Sequence, residues 1–104
     1  MEHRNGRRIP IQLNVQLWSG DTHCGTYISS DIGYGGLRLK VSPDVIKEGD
    51  FLSAKIKTGQ PNQEKEHDLK LMAVHQSERG LGLMWAGCDE PFFYALDTIL
   101  TAAR

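Results

Sequence analysis

The sequence predicts a mainly β domain, a small six-stranded antiparallel barrel with a C-terminal α-helix. Three observations lead to this fold class. Short runs alternate between apolar and polar residues over most of the chain, as half-buried strands do. Turn residues separate these runs, and after residue 87 the apolar period changes to three and four, as in an amphipathic helix. A closed barrel also leaves no exposed sheet edge, which would otherwise promote aggregation.

The length and composition predict one domain without a membrane span. The chain has 104 residues, enough for a single modest core. No apolar run approaches the roughly 18 residues that span a bilayer. The basic start, MEHRNGRR, leads into an alternating segment, so we do not expect a secretory signal. Cys24 and Cys88 are too few for a disulfide framework, and we expect two reduced thiols in a cytoplasmic protein.

The clearest strand pattern is IPIQLNVQLW, from residue 9 to residue 18. Its odd-numbered positions are apolar, and its even-numbered positions are mostly polar, so it predicts one half-buried strand. Pro10 has no N–H to donate and belongs near the strand start or at an edge. The next three residues, Ser19, Gly20 and Asp21, predict a turn.

The other five strands are expected around residues 26–28, 37–41, 52–56, 69–73 and 81–85. The polar stretch 58–68 contains Gly59, Pro61 and a run of charges, and we expect it to be an exposed connection. The triplet Glu78, Arg79 and Gly80 predicts a hairpin turn.

The C-terminal segment predicts the helix. Asp89 suits the N-cap, and Pro91 is tolerated in the first turn. Apolar residues recur on one face at Phe92, Leu96, Ile99 and Ala103. We expect the aromatic start of the helix, Phe92, Phe93 and Tyr94, to pack in the core. The predicted organisation is therefore an arginine-bearing arm over 1–8, a barrel over 9–87 and a helix over 89–103.

The stretch SSDIGYGGLRLK contains three glycines, Gly33, Gly35 and Gly36. Such a cluster indicates a turn with positive φ or a close approach to the backbone. It is not a Walker A loop, and it is not a dinucleotide loop, because a strand follows it instead of a helix. An anion at this loop must be held by backbone N–H groups and by side chains from elsewhere in the chain.

The charge distribution suggests where those side chains come from. The formal net charge is only −1, but Arg4, Arg7 and Arg8 lie together in the first eight residues. An electropositive arm on a nearly neutral body favours a small anionic ligand over a long polyanion. Guanidinium groups bond bidentately to phosphate oxygens and to the guanine edge.

These segments resemble the PilZ domain family. RNGRR, from Arg4 to Arg8, fits the RxxxR motif, and the following IPI is similar to the entry to the family's first strand. DIGYGG, from Asp31 to Gly36, fits [D/N]xSxxG except at Gly33, where the family usually has Ser. LGLMW, over residues 81–85, looks like the family's penultimate strand, and a helix follows. The resemblance covers nearly the whole chain and implies a PilZ-like split barrel.

The resemblance implies a receptor for cyclic di-GMP, a bacterial second messenger. Arg4 and Arg8 would contact guanine and phosphate, and Asp31 would accept hydrogen bonds from guanine or orient an arginine. Gly36 would allow close backbone approach. At Gly33 the backbone N–H or a water would replace the missing hydroxyl. The further candidate contacts are His3, Arg7 and Gly35.

The residues support other functional classes less well than a ligand receptor. We expect no metal, no cofactor and no enzyme activity. Adjacent strand residues such as His23 and Cys24 point to opposite faces, so they cannot readily share a metal ion or form a nucleophile–base pair. The near-neutral charge disfavours a nucleic-acid-binding barrel. With no output domain of its own, a stand-alone sensor would act on an unidentified effector protein, for example in motility, pilus, biofilm or exopolysaccharide output. The alternative is a degenerate PilZ-like adaptor that does not bind cyclic di-GMP.

Overall fold

The structure, a computed structural model, describes residues 8–60, 62–87 and 89–102. It contains seven strands and one helix. The elements are β1 (Arg8–Ile9), β2 (Asn14–Ser19), β3 (Thr22–Gly33), β4 (Gly36–Leu39), β5 (Phe51–Thr58), β6 (Lys65–Ser77), β7 (Gly80–Trp85) and α1 (Glu90–Ala102). Within these residues no helix has the length and apolar character needed to cross a bilayer.

Six of the strands form a closed antiparallel barrel, as the sequence predicts. The hydrogen-bonded order is β3-β2-β5-β6-β7-β4, and β4 pairs with β3 again to close the ring. β3 closes it because its first part pairs with β2 and its last part with β4, with a register shift between Ser29 and Asp31. The extra strand, β1, adds to the last two residues of β3.

The prediction of one strand over residues 9–18 is wrong in its continuity. The chain leaves strand conformation after Ile9 and resumes it at Asn14. Between β1 and β2, hydrogen bonds from the Ser29 side chain replace the backbone pairing that a continuous strand would make. Its Oγ donates to Ile11 O at 2.6 Å and accepts from Leu13 N–H at 3.0 Å, while Ser29 N–H donates to Leu13 O at 3.0 Å. These bonds satisfy polar groups that would otherwise be buried without partners.

The prediction of an exposed connection over residues 58–68 is also wrong in its extent. β5 continues through Thr58, and β6 already begins at Lys65. The first residues of β6 show no alternation of apolar and polar residues, because the residue that points inward there, His67, is itself polar. Glu66 and Asp68 on either side of it are exposed, whereas His67 is 7% exposed and lies 3.0 Å from Thr58 Oγ1 through its Nε2.

The core fills the barrel with alternate side chains from every long strand. α1 covers one end. Asp89 caps it as expected, because Asp89 Oδ1 accepts from Phe92 N–H at 3.0 Å. The buried residues of α1 are Phe92, Leu96, Ile99 and Leu100. Of the three aromatic residues expected in the core, only Phe92 is buried. Phe93 is 48% and Tyr94 is 67% exposed, since neither lies on the inward face. Ala103 lies outside the described residues.

The tight turns lie where the sequence places them. Gly20 has φ +61° in the β2–β3 turn, and Gly80 has φ +128° just after the two-residue turn between β6 and β7. Ser77 and Gly80 are register partners across that turn. The turn residues Glu78 and Arg79 are exposed.

Candidate ligand-binding site

The two sequence motifs meet on the outer wall of the barrel. β1 pairs with the end of β3, with Arg8 opposite Gly33 and Ile9 opposite Ile32. Ile32 is fully buried and Ile9 packs against the core, so the alternation turns Arg8 and Asp31 outward. Arg8 Nε donates to Asp31 Oδ1 across 23 residues of sequence. The side chains are 40% and 24% exposed, so the pair is open to a ligand.

The ion pair leaves Arg8 with unused donors. A guanidinium carries five N–H groups, and this contact occupies the one on Nε. The two terminal nitrogens therefore remain able to bind an anion. Asp31 holds the Nε end of the guanidinium, and its role toward a ligand stays a prediction.

A hydroxyl and a second arginine adjoin Asp31. Ser30 Oγ lies 3.5 Å from Asp31 Oδ2 and 3.3 Å from Arg38 O. Arg38 is the register partner of Asp31 on β4, so its side chain shares the outer face. Neither residue was identified from the sequence, because their proximity depends on how β3 and β4 pair.

The glycine loop is shaped by contacts with β7. Among the described residues, none of the positive φ values falls on Gly33, Gly35 or Gly36. Close backbone approach explains Gly36, because a Cβ there would lie 2.0 Å from Leu83 O. The approaching backbone belongs to β7 of the chain itself, and close approach of a ligand at Gly36 stays a prediction.

Two carbonyl groups of the loop are anchored by Trp85. Its indole Nε1 donates to Gly33 O at 2.8 Å, and its backbone N–H donates to Gly35 O at 3.2 Å. The indole also contacts Phe92 of α1 edge-on, with ring centroids 5.8 Å apart. Gly33, the position where the motif departs from the family, is thus buried and fixed in place.

Tyr34 forms a second connection between the loop and α1. Its hydroxyl donates to Asp97 Oδ1 at 2.7 Å, and the side chain is 49% exposed. The motif leaves this position unspecified, so sequence reasoning passed over it. An exposed aromatic residue between the glycines was the only available indication.

The remaining predicted contacts are divided between described and undescribed parts of the chain. Arg8, Asp31, Gly33, Gly35 and Gly36 are brought together as set out above. His3, Arg4 and Arg7 lie outside the described residues, so their roles stay predictions.

The His23–Cys24 pair has the geometry expected of neighbours on a strand. His23 is exposed and its ring lies 4.9 Å from that of Trp18, whereas Cys24 is half-buried against the core. In the parts of the chain that the structure covers, no three His, Cys, Asp or Glu side chains gather as metal ligands do. Cys88 lies outside the described residues.

A sequence model of the PilZ domain matches residues 2–97. The chain therefore belongs to the PilZ domain family. No curated protein sequence matches the chain.

Solved structures share the fold at low sequence identity. The PilZ domain of CeSA from a cellulose-synthesizing bacterium is 17% identical, with a TM-score of 0.70 over 92% of this chain and 96% of that one. The Bacillus subtilis inhibitor of motility, MotI/DgrA, is 16% identical with a TM-score of 0.67. It aligns with all of this chain, which spans 55% of its length. These likenesses show the PilZ fold.

Proposed function

We propose that the protein is a receptor for cyclic di-GMP that regulates a partner protein by changing its surface on binding. Membership of the PilZ domain family supports the ligand class. The observation that carries the proposal to this chain is the Arg8–Asp31 contact, which joins the two motif segments on one exposed face. A binding role without catalysis and a cytoplasmic location are parts of the proposal, because a second-messenger receptor must share a compartment with its ligand.

The chemistry of the pair suits both halves of a guanine nucleotide. The terminal nitrogens of Arg8, together with Arg4, would bond to phosphate oxygens or to guanine O6 and N7. The Asp31 carboxylate is an acceptor only, so it would take hydrogen bonds from the guanine N1–H and N2–H groups. Asp31 would serve this role while it still holds Nε of Arg8.

Calorimetry with the purified full chain and cyclic di-GMP tests the proposal. Arg8→Ala and Arg4→Ala should each abolish binding or weaken it at least tenfold. Arg8→Lys should also weaken it, because an ammonium keeps the charge but lacks the planar fork. Lys57→Ala is the matched control, since it removes one positive charge from an exposed position on β5, outside the site. Absence of binding at about tens of micromolar ligand by two methods would refute the proposal.

A second candidate function is an adaptor that does not bind cyclic di-GMP. Gly33 favours it, because one hydroxyl of the family motif is missing. One neutral hydrogen bond contributes about 0.5–1.5 kcal/mol, so its loss weakens binding about three- to tenfold. A loss of that size leaves a receptor of reduced affinity, and the intact Arg8–Asp31 contact supports the receptor over the adaptor.

The effector would read a surface that includes α1. The loop reaches α1 through Tyr34 and Asp97, and through Trp85 and Phe92. Ligand at Asp31 would therefore alter the exposed side of α1, which carries Phe93 and Tyr94. Amide chemical shifts on α1 during a cyclic di-GMP titration test this route. Shifts confined to β1, β3 and β4 would contradict it.

A further inference from the structure

A second group of cations faces outward on the barrel, on β4, β7 and β6. Arg38 on β4 is the register partner of Gly82 on β7, and Gly82 is the partner of His75 on β6. Direct partners in antiparallel strands place their side chains on one face. Leu81 and Leu83, which flank Gly82, point into the core, so this row faces solvent.

Gly82 contributes no side chain between Arg38 and His75 and is itself buried. Arg38, His75 and residues of the β6–β7 turn surround a cavity of about 400 Å³. The cavity is lined by Arg38, His75, Ser77, Glu78 and Arg79.

The basic side chains of this cavity have no partners within the described chain. Neither guanidinium nor the His75 ring forms a hydrogen bond or ion pair with a described residue. Two guanidinium groups face a single carboxylate, that of Glu78, so the cavity is electropositive. Ser77 Oγ accepts from Arg79 N–H at 3.1 Å, which leaves its own hydroxyl hydrogen for an acceptor.

We propose that this cavity binds a phosphate group of a small phosphorylated molecule. Paired guanidinium forks, an imidazole and a hydroxyl donor match the tetrahedral oxygens of a phosphate dianion. The site is separate from the Arg8–Asp31 pair, although Arg38 adjoins Asp31 across β3 and β4. The phosphate proposal is independent of the proposed function, because it concerns a different set of residues and is tested without any cyclic dinucleotide.

Titration of the ¹⁵N-labelled full chain with inorganic phosphate and with pyrophosphate tests the proposal, with sodium chloride at equal ionic strength as the reference. Saturable amide shifts should centre on Arg38, Gly82 and residues 75–79. Arg79→Ala and Arg38→Ala should each weaken binding about tenfold, as loss of one charge-assisted hydrogen bond does. Glu78→Gln should tighten it, because the opposing negative charge is removed.

Two controls separate a site from general electrostatic attraction. Lys57→Ala removes one positive charge from β5, where Lys57 pairs with Glu66 at the opposite end of β6 from His75, and it should change the affinity less than twofold. Gly82→Ala removes no charge, and its methyl group would sit 3.6 Å from His75 Cβ, an ordinary contact. That methyl adds bulk between Arg38 and His75, and it should weaken phosphate binding while the fold is retained.

Several outcomes would overturn the proposal. They are shifts that do not saturate, shifts that chloride reproduces, and an effect of Lys57→Ala as large as that of Arg79→Ala. In Arg8→Ala the saturable phosphate shifts of residues 75–79 should remain, even where the variant abolishes cyclic di-GMP binding. Failure of one site is thereby distinguishable from failure of the other.

Discussion

The indole of Trp85 donates a 2.8 Å hydrogen bond to the carbonyl oxygen of Gly33, and both groups are buried. This bond fixes the loop of the second motif to β7. Through its contact with Phe92 the same indole lies against α1. The loop is therefore part of the core structure, although its neighbour Asp31 is partly exposed on the outer wall of the barrel.

Trp85→Phe should destabilise the protein by about 1–3 kcal/mol, because Gly33 O loses its partner in a buried position. Chemical denaturation measures the change. Trp18→Phe is the matched control, since the indole Nε1 of Trp18 is buried without a partner among the described residues. It should cost less than Trp85→Phe, and an equal or greater cost would contradict the assigned role of the bond.

Arg8→Ala should leave stability nearly unchanged while it removes ligand binding. The Arg8–Asp31 pair is partly exposed, and such pairs contribute about 0–1 kcal/mol. Denaturation and calorimetry on the same variant provide the two readouts. A loss of several kcal/mol would mean that the pair is structural, and the case for a ligand site would weaken.

Gly33→Ser and Gly36→Ala should behave in opposite ways. Gly33→Ser restores the hydroxyl of the family motif, so cyclic di-GMP affinity should stay the same or rise up to about tenfold. Gly36→Ala places a Cβ against Leu83 O and should destabilise the barrel by about 1–3 kcal/mol. Calorimetry and denaturation test the two variants. Weaker binding by Gly33→Ser would show that the motif is misaligned.

Stability should fall as the pH is lowered below 6.5. Burial of the His67 ring, and then the positive charge of Lys65, lower the pKa of His67 below its ordinary value of 6.5. The unfolded chain therefore takes up this proton first. Stability that is fully present above pH 6.5 is lost progressively down to the lowered pKa of the folded state.

Denaturation at several pH values between 5 and 8 checks this prediction. His67→Gln should flatten the pH dependence, because the titrating ring is gone. An unchanged slope in His67→Gln would assign the effect to another group.

Local patterns were sufficient for most of the fold. Alternation identifies strands whose inward residues are all apolar, such as β5, and the period change identifies α1. These local patterns failed where a polar side chain replaces backbone hydrogen bonds or occupies an inward position. Ser29 replaces a backbone ladder, and His67 occupies an inward position.

The site was predictable only as far as the motifs reach. Arg8 and Asp31 are in contact, but their roles toward a ligand remain predictions, as do those of Arg4, Arg7 and His3. Arg38 and Trp85 were missed, because their positions depend on the pairing of β4 with β3 and β7. Such register between distant segments leaves no local trace in a single sequence.

The hydrogen bond from Ser29 Oγ to Ile11 O limits how far Arg8 can move. Because Ser29 is fully buried, Ile11 is fixed in place, and only three residue steps separate Arg8 from it. A fully extended segment of that length spans about 10 Å. The backbone of Arg8 therefore cannot reach the opposite wall of the barrel, and any ligand that Arg8 binds must lie on the wall that carries Asp31.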